Sequence, residues 1–225
     1  WSDKPMVSVN RRVSKDDLMP NDPGYGGEER FTPVVFADWT PANLSPHDEN
    51  VEVYSNCKEV ELFLNGKSLG SKPINADASP RNWKVTYEPG TLKAVARSSN
   101  GTIVATDELR TAGKPAKIVL ASDTKQLSPG FDHVAIIRAT VTDTNGIRIP
   151  RANDLVSFTV SGPGNIAAVD NGDNASHEPF QATERKAYGG ECVAFVQATA
   201  GAGTIKLSAS APGLDTGSIV IQVVQ

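Results

Sequence analysis

The run Val51-Glu52-Val53-Tyr54-Ser55 and, after a short gap, Val60-Glu61-Leu62-Phe63-Leu64-Asn65-Gly66-Lys67-Ser68-Leu69-Gly70 place apolar residues at every second position. That is the period of a strand with one face against a core. Asn65-Gly66 stands directly behind the second strand, and both residues tolerate the positive φ that a type I′ hairpin turn demands. Lys67 to Leu69 is therefore predicted to return antiparallel to it.

The same pattern continues downstream. Trp83, Val85 and Tyr87 share a strand face, Pro89-Gly90 marks a turn, and Leu92, Ala94 and Ala96 share a face of the next strand. Asn100-Gly101 is a further hairpin signal before Thr102 to Thr106. Thr111-Ala112-Gly113-Lys114-Pro115-Ala116 then interrupts with small and polar residues, and strands resume at Ile118-Val119-Leu120. Beyond it come Val134 to Thr142, the turn Asp143-Thr144-Asn145-Gly146, Leu155 to Val160, the break Ser161-Gly162-Pro163-Gly164, and Ile166 to Val169. Cys192 to Thr199, Thr204 to Ser210 and Gly217 to Val224 close the series.

Helical periodicity is nearly absent, and each half offers enough short strands for one sandwich of roughly 100 residues. The expected fold is all-β, with two tandem immunoglobulin-like antiparallel β-sandwich domains over 1–113 and 114–225. Neither half carries the Cys…Trp…Cys core of antibody domains. Lys15 to Arg30, rich in Pro, Gly and acids with almost nothing to bury, reads as a long surface loop.

Composition narrows the function. The 225 residues carry a net charge of −4, and no Lys/Arg cluster exceeds a pair, so a nucleic-acid groove has no electrostatic footprint. No apolar run approaches the roughly 18 residues of a membrane helix. The start, Trp1-Ser2-Asp3-Lys4-Pro5, lacks both Met and a signal-peptide core, which is expected of a chain processed or cut from something longer. Cys57 and Cys192 have no Cys or His at metal-ligand spacing, fall one in each half, and are expected to be buried thiols.

No constellation here points to catalysis. Asp16-Asp17 and Glu28-Glu29 lie in a loop without walls to raise a pKa or hold a sugar. His47, His133 and His177 are scattered, with no Ser or Cys in a nucleophile-elbow context. Asp170-Asn171-Gly172-Asp173-Asn174 offers oxygens but lacks the alternation and distant Glu of a calcium loop. No catalytic, cofactor-binding or metal-ligating residue is assigned, and no cofactor is expected.

Two places remain as candidate contact or glycan-binding positions. Trp39, in Asp38-Trp39-Thr40-Pro41, is either a packed aromatic or an exposed one able to stack on a sugar ring. The segment from Ser161 to Arg185 gathers Asp170, Asn171, Asp173, His177 and Arg185, which either cap tight turns or form a contact surface.

The run from Val51 to Gly70 also resembles the β-sandwich that follows the catalytic barrel in bacterial β-galactosidase-like enzymes of glycoside hydrolase family two. Trp83-Lys84-Val85-Thr86-Tyr87-Glu88-Pro89-Gly90-Thr91-Leu92-Lys93-Ala94 is similar to the same module, and Trp1-Ser2-Asp3-Lys4-Pro5-Met6-Val7 to the exit from the barrel. The second half resembles the carboxy-terminal bacterial Ig-like module through Asn153 to Phe158, Ser161 to Gly164, and Ala168 to Asp173 with Ser176-His177-Glu178. The resemblance implies a parent that hydrolyses β-galactoside-type bonds with two glutamates on a barrel, and that barrel is not in this sequence. It also implies that the chain braces the barrel or shapes substrate access, with the barrel as partner, β-galactoside glycans as possible ligands, and a periplasmic or secreted location. A pair of carbohydrate-binding modules is the alternative.

Overall fold

The computed structural model describes residues 3–20, 22–26, 35–130, 133–199 and 201–224. The chain divides into two compact units, Trp1–Pro20 with Gly24–Thr111, and Asn21–Pro23 with Ala112–Gln225.

The first unit holds β1 (Val7–Arg12), β2 (Val35–Phe36), β3 (Asp48–Ser55), β4 (Glu59–Leu64), β5 (Lys67–Pro73), β6 (Arg81–Thr86), β7 (Thr91–Arg97) and β8 (Ile103–Arg110). They form two antiparallel sheets, β2-β1-β3-β6 and β5-β4-β7-β8. Alternation decides the packing. Val51 and Val53 of β3 and Trp83 and Val85 of β6 meet Val60, Leu62 and Leu64 of β4 and Leu92, Ala94 and Ala96 of β7 in one core. Each fully buried Val or Leu contributes about 1.5–3 kcal/mol. Asn65 (φ 51°) and Gly66 (φ 80°) make the β4–β5 turn with two positive φ angles. The Asn65 side chain also ties that turn to the next one, accepting from Thr91 N at 2.9 Å and donating to Pro89 O at 3.1 Å.

The second unit holds β9 (Lys117–Ser122), β10 (Gln126–Leu127), β11 (Val134–Thr142), β12 (Leu155–Ser161), β13 (Gly164–Asp170), β14 (Glu184–Lys186), β15 (Glu191–Ala198), β16 (Gly203–Ser210) and β17 (Gly217–Val223). Its sheets run β13-β15-β11-β9 and β10-β17-β16-β12-β14. Here too the core draws on both sheets, with Ile137, Ala194 and Val196 from one against Phe158, Ile205, Leu207 and Ile221 from the other. The expected antiparallel order holds except where β10 runs parallel to β17.

Three features depart from the sequence reading. Strands β1 and β14 were not anticipated, because each puts an arginine inward, Arg11 and Arg185, and so breaks the apolar alternation, and β2 and β10, two residues each, are too short to show a period. Gly164 begins β13 rather than ending a break. The 15–30 segment has something to bury after all: Leu18 is buried, and the buried Asp22 pairs with Arg151 at 2.7 Å. Residues 21 and 27–30 of that segment lie outside the described residues.

Cys57 and Cys192 are both buried free thiols, one in each unit. Burial pushes the Cys192 thiol up to about 12, so it is not a nucleophile at neutral pH.

Candidate contact site around Arg185

The segment between β13 and β14 is built outward from one guanidinium. Arg185 is at an inward position of β14, with its side chain 1% exposed. Its Nη1 donates to Glu178 O at 2.8 Å, and its Nη2 donates to Asn171 Oδ1 at 3.1 Å and to Asp170 Oδ1 at 3.4 Å. Glu178 Oε2 stands 3.8 Å from Nε. The guanidinium lies 5.3 Å from the centroid of the Phe180 ring, which is 59% exposed to water. A cation under an aromatic face is an attractive arrangement worth about 1 kcal/mol, more when desolvated.

Around this hub the backbone is wound by short polar side chains, each accepting from an amide close ahead of it. Asp170 Oδ1 accepts from Asn171 N at 2.7 Å and Gly172 N at 3.2 Å. Asn171 Oδ1 accepts from Asp173 N at 3.0 Å, and Asp173 Oδ1 from Ala175 N at 2.9 Å. These are successive Asx turns, with Gly172 supplying the one positive φ, 74°. Main-chain bonds fix the far end, Val169 N to Phe180 O at 2.8 Å and Phe158 N to Thr183 O at 2.7 Å.

Asp170, Asn171 and Arg185 are thus in direct contact, and Asp173 joins them through the Asn171 side chain. His177 lies exposed on the same segment. Among the described residues no group of three His, Cys, Asp or Glu could hold a metal ion. Sequence reasoning missed Phe180 and Glu178 as members of this cluster. The available signal was a lone aromatic, Pro179-Phe180, in an otherwise polar segment.

Trp39 stands elsewhere, in the first unit, with 0% exposure. Its Nε1 donates to Glu88 O at 3.0 Å, and its ring lies 5.3 Å from that of Tyr87. A side chain whose polar atom is satisfied internally and whose ring is in the core offers no face to a sugar. Next to Trp39 in sequence, Asp38 pairs with Arg11 at 3.0 Å; Arg11 also lies 3.6 Å from Glu49, which accepts from His47 Nε2 at 2.8 Å.

Comparison with known proteins ties this architecture to an enzyme family. Residues 118–220 match the glycoside hydrolase family 2 C-terminal domain 5, and residues 48–105 match a domain of unknown function (DUF4982). A glycosyl hydrolase family 2 member from Bacteroides cellulosilyticus superposes with a TM-score of 0.85 at 32% identity, covering 100% of this chain and 29% of that one. The chain is a C-terminal region of glycoside hydrolase family 2.

Within that family, a β-galactosidase of Bacteroides ovatus is 41% identical over 180 residues, 79% of this chain and 20% of that protein. A β-glucuronidase of Formosa agariphila is 37% identical over 116 residues, 49% of this chain and 12% of that protein. This glycoside hydrolase family 2 region therefore spans about a fifth or less of the length of the curated relatives it matches. No helix among the described residues is long and apolar enough to cross a membrane.

Proposed function

We propose that residues 1–113 and 114–225 are two accessory sandwiches of a β-galactosidase-like glycoside hydrolase, bracing its catalytic barrel and bordering the approach of substrate. The observation that carries this reading is the 41% identity to a β-galactosidase across 79% of the chain. The local chemistry agrees. Asp38 and Glu49 are bridged by Arg11, and Asp170 and Glu178 by Arg185. A guanidinium lodged between two carboxylates occupies the space a sugar would need between a catalytic pair, which in a retaining enzyme stands about 5 Å apart. The rest of the parent polypeptide is then the partner, and the periplasm or the exterior of a bacterium the compartment.

The test compares the full-length parent with a form lacking these residues. The deletion is expected to lower thermal stability and turnover of a chromogenic β-galactoside, while the isolated chain turns over none. Turnover by the isolated chain that vanishes on a single Asp or Glu replacement would overturn the reading.

The exposed Phe180 ring over Arg185, whose guanidinium also holds Asp170 and Asn171, favours a second reading, a glycan-binding surface on the 170–185 segment. Titration of galactosides into isotopically labelled protein tests it. Movement of the Asp170 to Phe180 amides at millimolar sugar supports it, and still amides end it.

A further inference from the structure

The two outward sheet faces of the second unit differ in how their apolar residues are grouped. On β16 and β17 the outward residues pair as Ser208 with Ser218 and Lys206 with Val220, and Thr159 of β12 lies beside Ser208. That face is mostly polar, its hydroxyls, Lys206 and Gln222 separating the exposed apolar residues Leu155, Val220 and Val224. On the other sheet the outward register puts Ile136 of β11 opposite Phe195 of β15, and Arg138 opposite Val193. Val119 of β9 and Val134 extend this surface. Val119, Val134 and Ile136 are 41%, 40% and 42% exposed, and Phe195 and Val193 are half-buried without belonging to the core.

Grouped apolar residues on an outward sheet face mark an interaction surface, whereas single exposed apolar residues do not, and here Ile136, Phe195, Val193 and Ala121 adjoin in register around Arg138. This group also has shape and charge. A groove of about 400 Å³ lies beside Ile136, lined by Ala121, Ser122, Asp123, Ile136 and Arg138. Asp123 and Arg138 carry opposite charges at its border, and among the described residues neither side chain makes a hydrogen bond or ion pair. An apolar centre with charges of both signs at the edge is the make-up of an interface between domains of one chain.

We infer that the outward face of the β13-β15-β11-β9 sheet docks against a further part of the same polypeptide, outside these 225 residues. The occupant presents apolar side chains to Ile136 and Phe195, a carboxylate to Arg138 and a cation to Asp123. About four-fifths of the length of the Bacteroides ovatus relative lies outside the region matched here, so a covalently attached occupant is at hand. The inference rests on the accessory-domain reading and assigns it a surface.

Thiol labelling tests it cleanly, because Cys57 and Cys192 are buried. Ile136→Cys and, on the opposite face, Val220→Cys are each made in the isolated chain and in the full-length parent, and labelling by a maleimide is followed peptide by peptide. The Ile136→Cys site is expected to label at least tenfold more slowly in the parent than in the isolated chain, and the Val220→Cys site equally in both. Val119→Cys, on the neighbouring strand, repeats the measurement independently. Equal rates at position 136 in the two contexts would overturn the inference. So would slowing that depends on protein concentration, which indicates a second copy, or on added galactoside, which indicates a glycan. If removing all 225 residues leaves the parent's stability and activity untouched, the accessory-domain reading fails. If the deletion matters and the labelling rates are equal, only this face is wrongly assigned.

Discussion

Arg81 and Arg185 both occupy inward strand positions, one in each sandwich, and both are cut off from water, yet they hold different things. Among the described residues Arg81 donates only to main-chain carbonyls, Pro73 O at 3.0 Å, Ser55 O at 3.1 Å and Cys57 O at 2.5 Å. Burial pulls its pKa down, with no carboxylate to oppose it. Arg185 donates to one carbonyl and otherwise faces side chains: Asn171, Asp170, Glu178 and the Phe180 ring. The first is a clamp on backbone that is itself part of the fold. The second is a hub for a surface segment whose carboxylates keep partial access to water, with side-chain exposures of 39% for Asp170 and 30% for Glu178.

The difference sets an order of effects. Arg81→Met takes the donor from the buried Cys57 carbonyl and from the part-buried Pro73 and Ser55 carbonyls, and an orphaned buried group costs about 1–3 kcal/mol. The first unit is expected to lose about 3–5 kcal/mol. Trp39 and Trp83 lie in its core, so fluorescence during urea unfolding reads that unit directly. Arg185→Met relieves carboxylates that can rehydrate, so the expected loss in the second unit is smaller, about 2–3 kcal/mol. It should be preceded by faster hydrogen exchange confined to the amides of 171–183. Equal losses at the two arginines, with exchange rising throughout the second unit, would show that Arg185 is also a clamp and would break the comparison.

These arginines also explain what could be read from the sequence. Where apolar residues alone fill the inward positions, as in β4 with its Asn65-Gly66 turn or in β11 from Val134 to Thr142, strand, face and turn all follow from alternation. In β1 and β14 the inward residue is Arg11 or Arg185, and a rule that equates charge with solvent gives the wrong face or no strand. β6 survives because Trp83 and Val85 carry the pattern past Arg81. The candidate site was half legible for the same reason. Asp170, Asn171 and Asp173 announce turns by their chemistry, but that Arg185 gathers them and supports Phe180 depends on a buried charge paired across the fold.

Arg11 is an intermediate case, and it yields the smallest and most specific test. Like Arg81 it is buried, but its partners Asp38 and Glu49 are charged, and Glu49 also meets His47. The Ser45 carbonyl, accepting from His47 Nδ1 at 2.8 Å, and then Glu49 raise the His47 pKa, against the opposing effects of burial and Arg11. A raised folded-state pKa favours the protonated histidine in the native protein. Its contribution is therefore complete below the unfolded value near 6.5 and is lost as pH rises through the folded value. The first unit should be less stable at about pH 8 than at about pH 5.5 by less than about 1 kcal/mol, and His47→Gln should flatten that difference. Arg81 has no titrating carboxylate or histidine among its hydrogen-bond partners, so Arg81→Met should shift the whole stability curve without changing its slope in this range. An NMR titration that places His47 at or below 6.5 would mean that Arg11 outweighs the Ser45 carbonyl and Glu49, and that the buried cation sets the protonation of this cluster.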